Sequence, residues 1–530
     1  MQMVKKENFI IFLLIVYSIF CAFNISESWD TSYYYNVGKD RLDYLFSLGS
    51  NKVDFQTGSS QFNPGVYDTI SAFFVQLFPV KFKFQAIFLA NLIVSTLTIF
   101  GIYNLCKIIF NKIVGKIAFI YLFFNPVFFG HMSMNSKDTI IAFSTVWFIY
   151  FTIRYLQKQN DEEKRKKYTY LSAICLALGM GARTSFIVTI IPMIALLPLE
   201  ILYFKIFIKK NFLLKKFLFD ILKVILISYL IIILFWPQTH PNIFFLPFKL
   251  TLESLSYGYG VPLTLFDGEL LLSTELPKTY IAKNLFYKMP EYILLSYLFF
   301  FLFFVKIKLF FKKQFKGFTL KIFFILSIII TPNILMIVSP FYPYDGMRLF
   351  LYLIPFICIP PAVLTYFLYK KIKTKFYLPF FSIILFFKIF LIGNFLLLTP
   401  FNYVYLNIFA GKYSENYKKF ENDYSGITVK ELIGKFKNNK FSTKETVLIS
   451  ICGLPKGSVN RHLKQLKNIN YKIVNNKESY DYIIMNNRAV WEDYMSNNKR
   501  SCFEKFKGKD VVTVSRRGLV LSKITKKKPT

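Results

Sequence analysis

The chain is poor in acid. Its 530 residues hold 30 Asp and Glu against 66 Lys and Arg, a formal charge of +36 at pH 7. Charged residues of both signs reach only 18%, where soluble domains carry about a quarter. The six cysteines (Cys21, Cys106, Cys175, Cys358, Cys452, Cys502) form no CxxC or CxxxC pair, so no zinc or redox motif can be read. No internal repeat is evident, and the only low-complexity stretch is the basic Lys526–Lys528 tail. These lacks exclude a plain soluble enzyme, a disordered chain and a disulfide scaffold.

What the chain has in excess is apolar surface. Apolar residues make up 54% and aromatics 19%, with 64 Phe and 35 Tyr, and mean hydropathy is +0.41. A soluble protein of that composition would expose large apolar patches to water. The surplus lysines fall in short clusters between apolar runs, as on the cytoplasmic side of a bilayer protein, instead of in the basic stripe that nucleic acid requires. The composition therefore points to a multi-pass membrane protein with no nucleic-acid partner.

A spanning helix needs about 20 mostly apolar residues. The runs predict about eleven spans, at 9–25, 85–109, 117–132, 139–156, 169–185, 186–204, 217–235, 290–310, 319–339, 349–369 and 376–398. Lys5 and Lys6 place the N-terminus in the cytoplasm, and every later lysine cluster then falls on the same side. Two spans are weak: 117–132 is broken by Asn125-Pro126, and 169–185 holds Gly179, Gly181 and Arg183. Residues 1–399 form the transmembrane domain. From about 400 the long apolar runs stop, and short strand-like and helix-like pieces predict a small α/β domain over 400–530, outside the membrane. The strand-like pieces are Thr446–Ile451, Tyr471–Val474, Tyr482–Met485, Val511–Ser515 and Leu519–Ser522, with a helix at Ser458–Leu466. Cys452 and Cys502 both fall in this domain and would be free to pair in an oxidising compartment.

All long connections then lie on the outer face, at 26–84, 236–289 and the tail, and any chemistry lies there too. Asp30 stands where the first helix leaves the bilayer, followed by Asn63-Pro64-Gly65-Val66-Tyr67-Asp68 and an amphipathic stretch to Pro79 suited to the interface plane. Asp30 is either a solvated loop residue or a general base beside a lipid-borne donor. Between spans three and four runs His131-Met132-Ser133-Met134-Asn135-Ser136-Lys137-Asp138. Asn135 or Ser136 can cap the next helix and Asp138 suits its dipole; alternatively Lys137 meets a phosphate and Asp138 supports it. Tyr344-Asp345-Gly346-Met347-Arg348 opens span ten. Arg348 either snorkels to the interface or neutralises a lipid phosphate, and Arg183 is a second candidate for that task.

Together these loops resemble the lipid-linked-sugar glycosyltransferases of the GT-C fold, in the dolichyl-phosphate-mannose–protein mannosyltransferase-like branch. The resemblance rests on Asp30 after the first helix, on Phe128-Phe129-Gly130-His131 running to Asp138, and on Glu275-Leu276-Pro277 with Met289-Pro290-Glu291. Tyr344 to Arg348, Pro400 to Asn407 and Phe420 to Tyr424 complete it. The chain departs at Thr31, where many relatives carry Glu, and at Leu349, where many carry His. The resemblance implies transfer of a sugar from a polyprenyl phosphate to a protein, lipid or glycan acceptor at the outer face of the inner cell membrane, with inversion. Asp30 would be the base, and Arg348, Lys137 and Arg183 would hold the phosphate, with Asp138, Tyr344 and Asp345 lining the substrate site. No cofactor is required, although His131 and His240, which lack ligand spacing, leave a divalent metal open. A transporter or flippase of lipid-linked sugars is the alternative, and a scaffold with a decayed site is a third reading supported only by Thr31 and Leu349.

Overall fold

The longest apolar runs form the longest helices. The computed structural model describes residues 2–51, 58–208, 212–256, 262–338, 341–371, 392–437, 446–466, 469–495 and 499–527. Among them, Val80–Ile109, Asp138–Lys158, Thr184–Phe204, Leu214–Leu234, Phe318–Val338 and Arg348–Lys371 are long and apolar enough to cross a bilayer. Tyr280–Lys288 and Glu291–Leu302, bent by 109° at their junction, add a seventh if taken together. Leu218, Phe219, Leu222, Ile225, Leu226 and Leu230 stand exposed along one of these helices. Such a stripe suits lipid and not water. The chain is a multi-pass helical membrane protein.

Two of the expected spans are interrupted, each at a local break. From the N-terminus run α1 (Gln2–Phe23), α2 (Trp29–Phe46), α3 (Val66–Gln76), α4 (Lys83–Ile109), α5 (Lys112–Phe123), α6 (Pro126–His131), α7 (Asp138–Lys158) and α8 (Glu162–Ala182). The break between α5 and α6 falls at Asn125-Pro126, where the Asn125 side chain caps α6 by accepting from the Phe128 amide at 3.1 Å. The span expected at 290–310 divides at Phe303 into Glu291–Leu302 and Phe304–Lys312. Most of the span expected at 376–398 lies outside the described residues.

The first outer connection is no loop. Ser28 and Thr31 exchange capping contacts, with the Ser28 amide donating to the Thr31 hydroxyl at 3.0 Å, and α2 follows at once. The amphipathic stretch expected in the interface plane is α3, which is buried through Val66, Tyr67, Asp68, Ala72 and Val75. Gly65, at φ +73°, is obligatory before it: a Cβ there would strike the guanidinium of buried Arg41. Arg41 in turn donates to the carbonyls of Ser60 and Asn63 at 2.9 and 2.6 Å.

Beyond the helices, β1 (Leu263–Phe266) and β2 (Glu269–Leu272) form a hairpin through Asp267-Gly268. The tail folds as the expected α/β unit. Its strands β3 (Thr446–Cys452), β4 (Asn470–Ile473), β5 (Tyr482–Asn486), β6 (Lys509–Arg516) and β7 (Leu519–Lys526) lie in the order β4-β3-β5-β7-β6. β3 runs parallel to β4 and β5, while β7 is antiparallel to β5 and β6. Cys452 and Cys502 form a disulfide, with Cα atoms 5.9 Å apart. This unit is docked on the turn into α2: the Ser26 amide donates to the Ile427 carbonyl at 3.0 Å, and Ser458 and Arg461 both bind the buried Glu27 carboxylate.

Candidate active site

Four separated stretches of sequence meet at the end of the helices opposite the lysine clusters. Asp30 is the second residue of α2, Asp138 opens α7, Arg183 follows α8, and Arg348 begins the Arg348–Lys371 span. Arg348 lies at the centre and meets three carboxylates. Its Nη2 binds Asp30, its Nε donates to Asp138 Oδ2 at 3.1 Å, and its Nη1 donates to Asp345 Oδ2 at 3.1 Å. The second oxygens of the two latter carboxylates carry the network on: Asp138 Oδ1 to Arg183 at 3.2 Å, and Asp345 Oδ1 to Arg488 at 3.3 Å. Acid and base alternate along the whole row, so each buried charge has an opposite neighbour, the condition for burying charge at all.

Local backbone chemistry sets this row. Asn135 accepts from the Lys137 and Asp138 amides at 3.1 and 2.9 Å and donates to Asp138 Oδ2 at 2.9 Å. It thus caps α7 and orients its first carboxylate. Asp345 and Gly346 are both left-handed, at φ +53° and +62°, and this turn presents Asp345 between the two arginines. A Cβ on Gly346 would lie 2.9 Å from Lys288 Cε, and its amide donates to the Tyr280 hydroxyl at 2.9 Å. Burial pushes the Asp345 carboxyl above its ordinary pKa, against the pull of Arg488 and Lys288.

A cavity of about 190 Å³ opens on this network, lined among others by Trp29, Asp30, Asn135, Tyr344, Arg348 and Arg488. Of the three carboxylates on Arg348, Asp30 alone is open, at 31% exposure against 2% for Asp138 and 4% for Asp345. Only Asp30 can therefore reach a substrate proton without rearrangement.

Six of the expected residues, Asp30, Asp138, Arg183, Tyr344, Asp345 and Arg348, form this assembly, with the Arg348 guanidinium 5.9 Å from the Tyr344 ring centre. Lys137 is placed differently: its ammonium points to α2, 3.5 Å from the Tyr34 hydroxyl and 4.9 Å from that ring centre. Burial, helped by the charge of Arg183, pushes its pKa down to about 7. His131 and His240 bond Tyr424 and Tyr44 at 2.8 and 3.1 Å.

The tail, which carries no catalytic signature in sequence, nevertheless sends Arg488 to the cavity. Arg488 follows β5, and its Nη1 donates to the Tyr424 carbonyl at 3.0 Å while its Nε lies 3.9 Å from Glu421. Burial opposes its charge, but Glu421 and Asp345 hold its pKa above the ordinary value. The signal for it was positional: an arginine just beyond the carboxyl end of a parallel strand, where α/β folds place their ligands.

Three comparisons bear on this arrangement. Residues 63–237 match the family model of dolichyl-phosphate-mannose-protein mannosyltransferases. The fold is similar to the crystal structure of ArnT from Cupriavidus metallidurans in the apo state, with TM-score 0.52 and 10% identity over 99% of this chain and 100% of that one. It is also similar to the same protein bound to undecaprenyl phosphate, with TM-score 0.51 and 8% identity over 98% and 99% of the two chains. No curated protein sequence matches the chain. The chain thus has the GT-C fold that its loops led us to expect, and it resembles the mannosyltransferase-like and ArnT-like glycosyltransferases.

Proposed function

Taking the GT-C fold as premise, we propose that this chain transfers a sugar from a polyprenyl phosphate to an acceptor hydroxyl or amine at the outer face of the cell membrane. The observation that carries the reading is the open Asp30 carboxylate paired with Arg348 on one cavity. In the reaction Asp30 takes the acceptor proton, the acceptor atom attacks the anomeric carbon, and the bond from that carbon to the phosphate oxygen breaks. A single displacement inverts the centre. The leaving polyprenyl phosphate gains negative charge, and Arg348, supported by Arg183 through Asp138, stabilises it.

The pairing also implies an order. While Arg348 binds Asp30, the guanidinium occupies one of its carboxylate oxygens. A donor phosphate that occupies the guanidinium frees Asp30, so donor binding precedes activation of the acceptor. The positive charge comes from side chains, and turnover survives a metal chelator. The outer face is supported by the lysine clusters at the opposite end and by the Cys452–Cys502 disulfide, which suits an oxidising compartment.

The test is the purified protein assayed with a panel of undecaprenyl-phosphate monosaccharides, with and without EDTA, reading release of undecaprenyl phosphate. Turnover of at least one donor that Asp30→Asn abolishes supports the reading. Silence across the panel, or transport of the intact lipid-linked sugar without cleavage, overturns it.

A further inference from the structure

The C-terminal unit does more than pack on the helices. Arg488 and Trp29 face the same cavity from opposite domains, with the guanidinium carbon 5.8 Å from the indole ring centre. Trp29 is held by its amide, which donates to the Ser425 carbonyl at 3.3 Å, and its ring is 42% exposed. Arg488 is fixed on several sides. Its own amide donates to Asn486 Oδ1 at 3.1 Å, and neighbouring Asn487 donates to the carbonyls of Tyr417 and Phe420 at 2.8 Å each. The guanidinium then reaches the Tyr424 carbonyl and Asp345. So many bonds for one loop arginine place its planar group at the cavity wall with little freedom.

The surroundings define what that wall recognises. Arg348 already addresses an anion. Arg488 shares Asp345 with it and has Glu421 behind it, and it reaches the cavity from the other domain. Arg488 offers N–H donors and the open Asp30 on the same cavity offers oxygen acceptors, the pattern that hydroxyl groups need because each both donates and accepts. The indole supplies an apolar face, and the cavity holds about 190 Å³, room for one sugar ring.

We propose that Trp29 and Arg488 form the subsite for the transferred sugar ring, a neutral polyol, with the outer domain contributing Arg488 to the reaction centre. The inference rests on the glycosyl-transfer reading above. The sugar's apolar face lies against Trp29, its hydroxyls bond the Arg488 guanidinium, and the phosphate end stays with Arg348. Asp345 touches both arginines and so joins the sugar and phosphate subsites.

The experiment compares two lipids on the full-length purified protein: undecaprenyl phosphate without sugar, and the undecaprenyl-phosphate monosaccharide that the wild type turns over. Binding of each is measured for wild type, Trp29→Ala, Trp29→Phe, Arg488→Ala and Arg488→Lys, with melting temperature recorded alongside. The wild type should prefer the sugar-bearing lipid. Trp29→Ala and Arg488→Ala should each weaken that lipid by about tenfold to a hundredfold while leaving the sugar-free lipid unchanged. Trp29→Phe should retain most of the preference and Arg488→Lys part of it. Domain misplacement instead would weaken both lipids together and lower the melting temperature, and that result overturns the proposal. Equal loss of both lipids in a stably folded Arg488→Ala assigns the arginine to the phosphate and also overturns it, as does an unchanged preference. If the wild type binds the sugar-free lipid but turns over no sugar-bearing one, the glycosyl-transfer reading fails first and the subsite falls with it.

Discussion

The two ends of the helical domain bury charge in opposite ways. At the lysine-rich end the buried charges are held singly, each by one or two local partners. Asp220 meets Arg165 at 3.1 Å and the Tyr155 hydroxyl at 2.8 Å, Glu200 accepts from the Phe207 and Ile208 amides, and Lys321 donates to the Ile109 carbonyl at 2.8 Å. At the other end Arg348 gathers three carboxylates from three elements, two further arginines join, and a cavity opens against the group. Residue types and burial are alike, so neither distinguishes structure from function. What does is whether the network closes on itself or keeps one charged group open to a space. Asp30 is that open group.

The sharpest way to break the comparison is Asp30→Asn. A positioned base contributes about 10²–10⁴ in rate, so turnover should fall by that much in a protein that still inserts and folds. Donor affinity should hold or rise, because the amide no longer competes with phosphate for Arg348. Calorimetry with undecaprenyl phosphate and a steady-state assay give both numbers, and full turnover would move the base elsewhere. Next is Arg348→Ala, which should cost roughly 2–5 kcal/mol in transition-state stabilisation and weaken the donor as well. Arg348→Lys should recover only part, since a point charge cannot replace a fork holding several carboxylates. An arginine that merely snorkels would be replaced fully by lysine.

Asp220→Ala tests the closed end. Breaking a buried pair leaves Arg165 with an uncompensated charge, worth about 3–5 kcal/mol of stability. Melting in detergent should show that loss, while turnover per folded molecule stays at the wild-type value. A drop in turnover without a drop in melting temperature would erase the distinction between the two ends.

How far sequence alone reaches follows the same line. Asp30, Asp138, Arg183 and Arg348 were legible because a charge beside an apolar run is conspicuous. The tail strands were legible from their short apolar blocks between polar turns, and β3 to β7 fall where those blocks lie. Arg488 was not legible as a site residue: its place beyond a strand end was readable, but one more arginine in a polar tail is unexceptional until the fold carries it to the cavity. Nor was α2 legible: Trp29–Phe46 is rich in Tyr and Asp with no clear apolar period, and its helicity comes from the Ser28–Thr31 cap and packing against α3. Thr31, read from sequence as a departure from the family, has that capping task. Lys137 was placed correctly along the chain, but sequence does not set a rotamer, and its ammonium turned to Tyr34.

The smallest expected effect lies on the outer-domain side of the open end. Glu421 sits behind Arg488, and burial, opposed by Arg488 and aided by Asp345, pushes its pKa up to about 7 from an ordinary 4.5. Between those two values the folded chain keeps a proton that the unfolded chain has released. Stability from this group is therefore full below pH 4.5 and is lost as pH rises through 7. Lys137, pushed down to about 7 from 10.5, works the other way: between pH 7 and 10.5 the unfolded chain holds the extra proton, and stability rises with pH. Glu421→Gln mimics the protonated carboxyl at every pH. It should melt with the wild type at pH 5 and a few degrees above it at pH 8, and Lys137→Met should melt higher than the wild type at pH 6 with the gap closing toward pH 10. Differential melting across that range reads both slopes. Parallel curves for Glu421→Gln and wild type from pH 5 to 8 would mean that this carboxyl is ionised throughout, and Arg488 would then face the cavity with its charge balanced at every pH in that range.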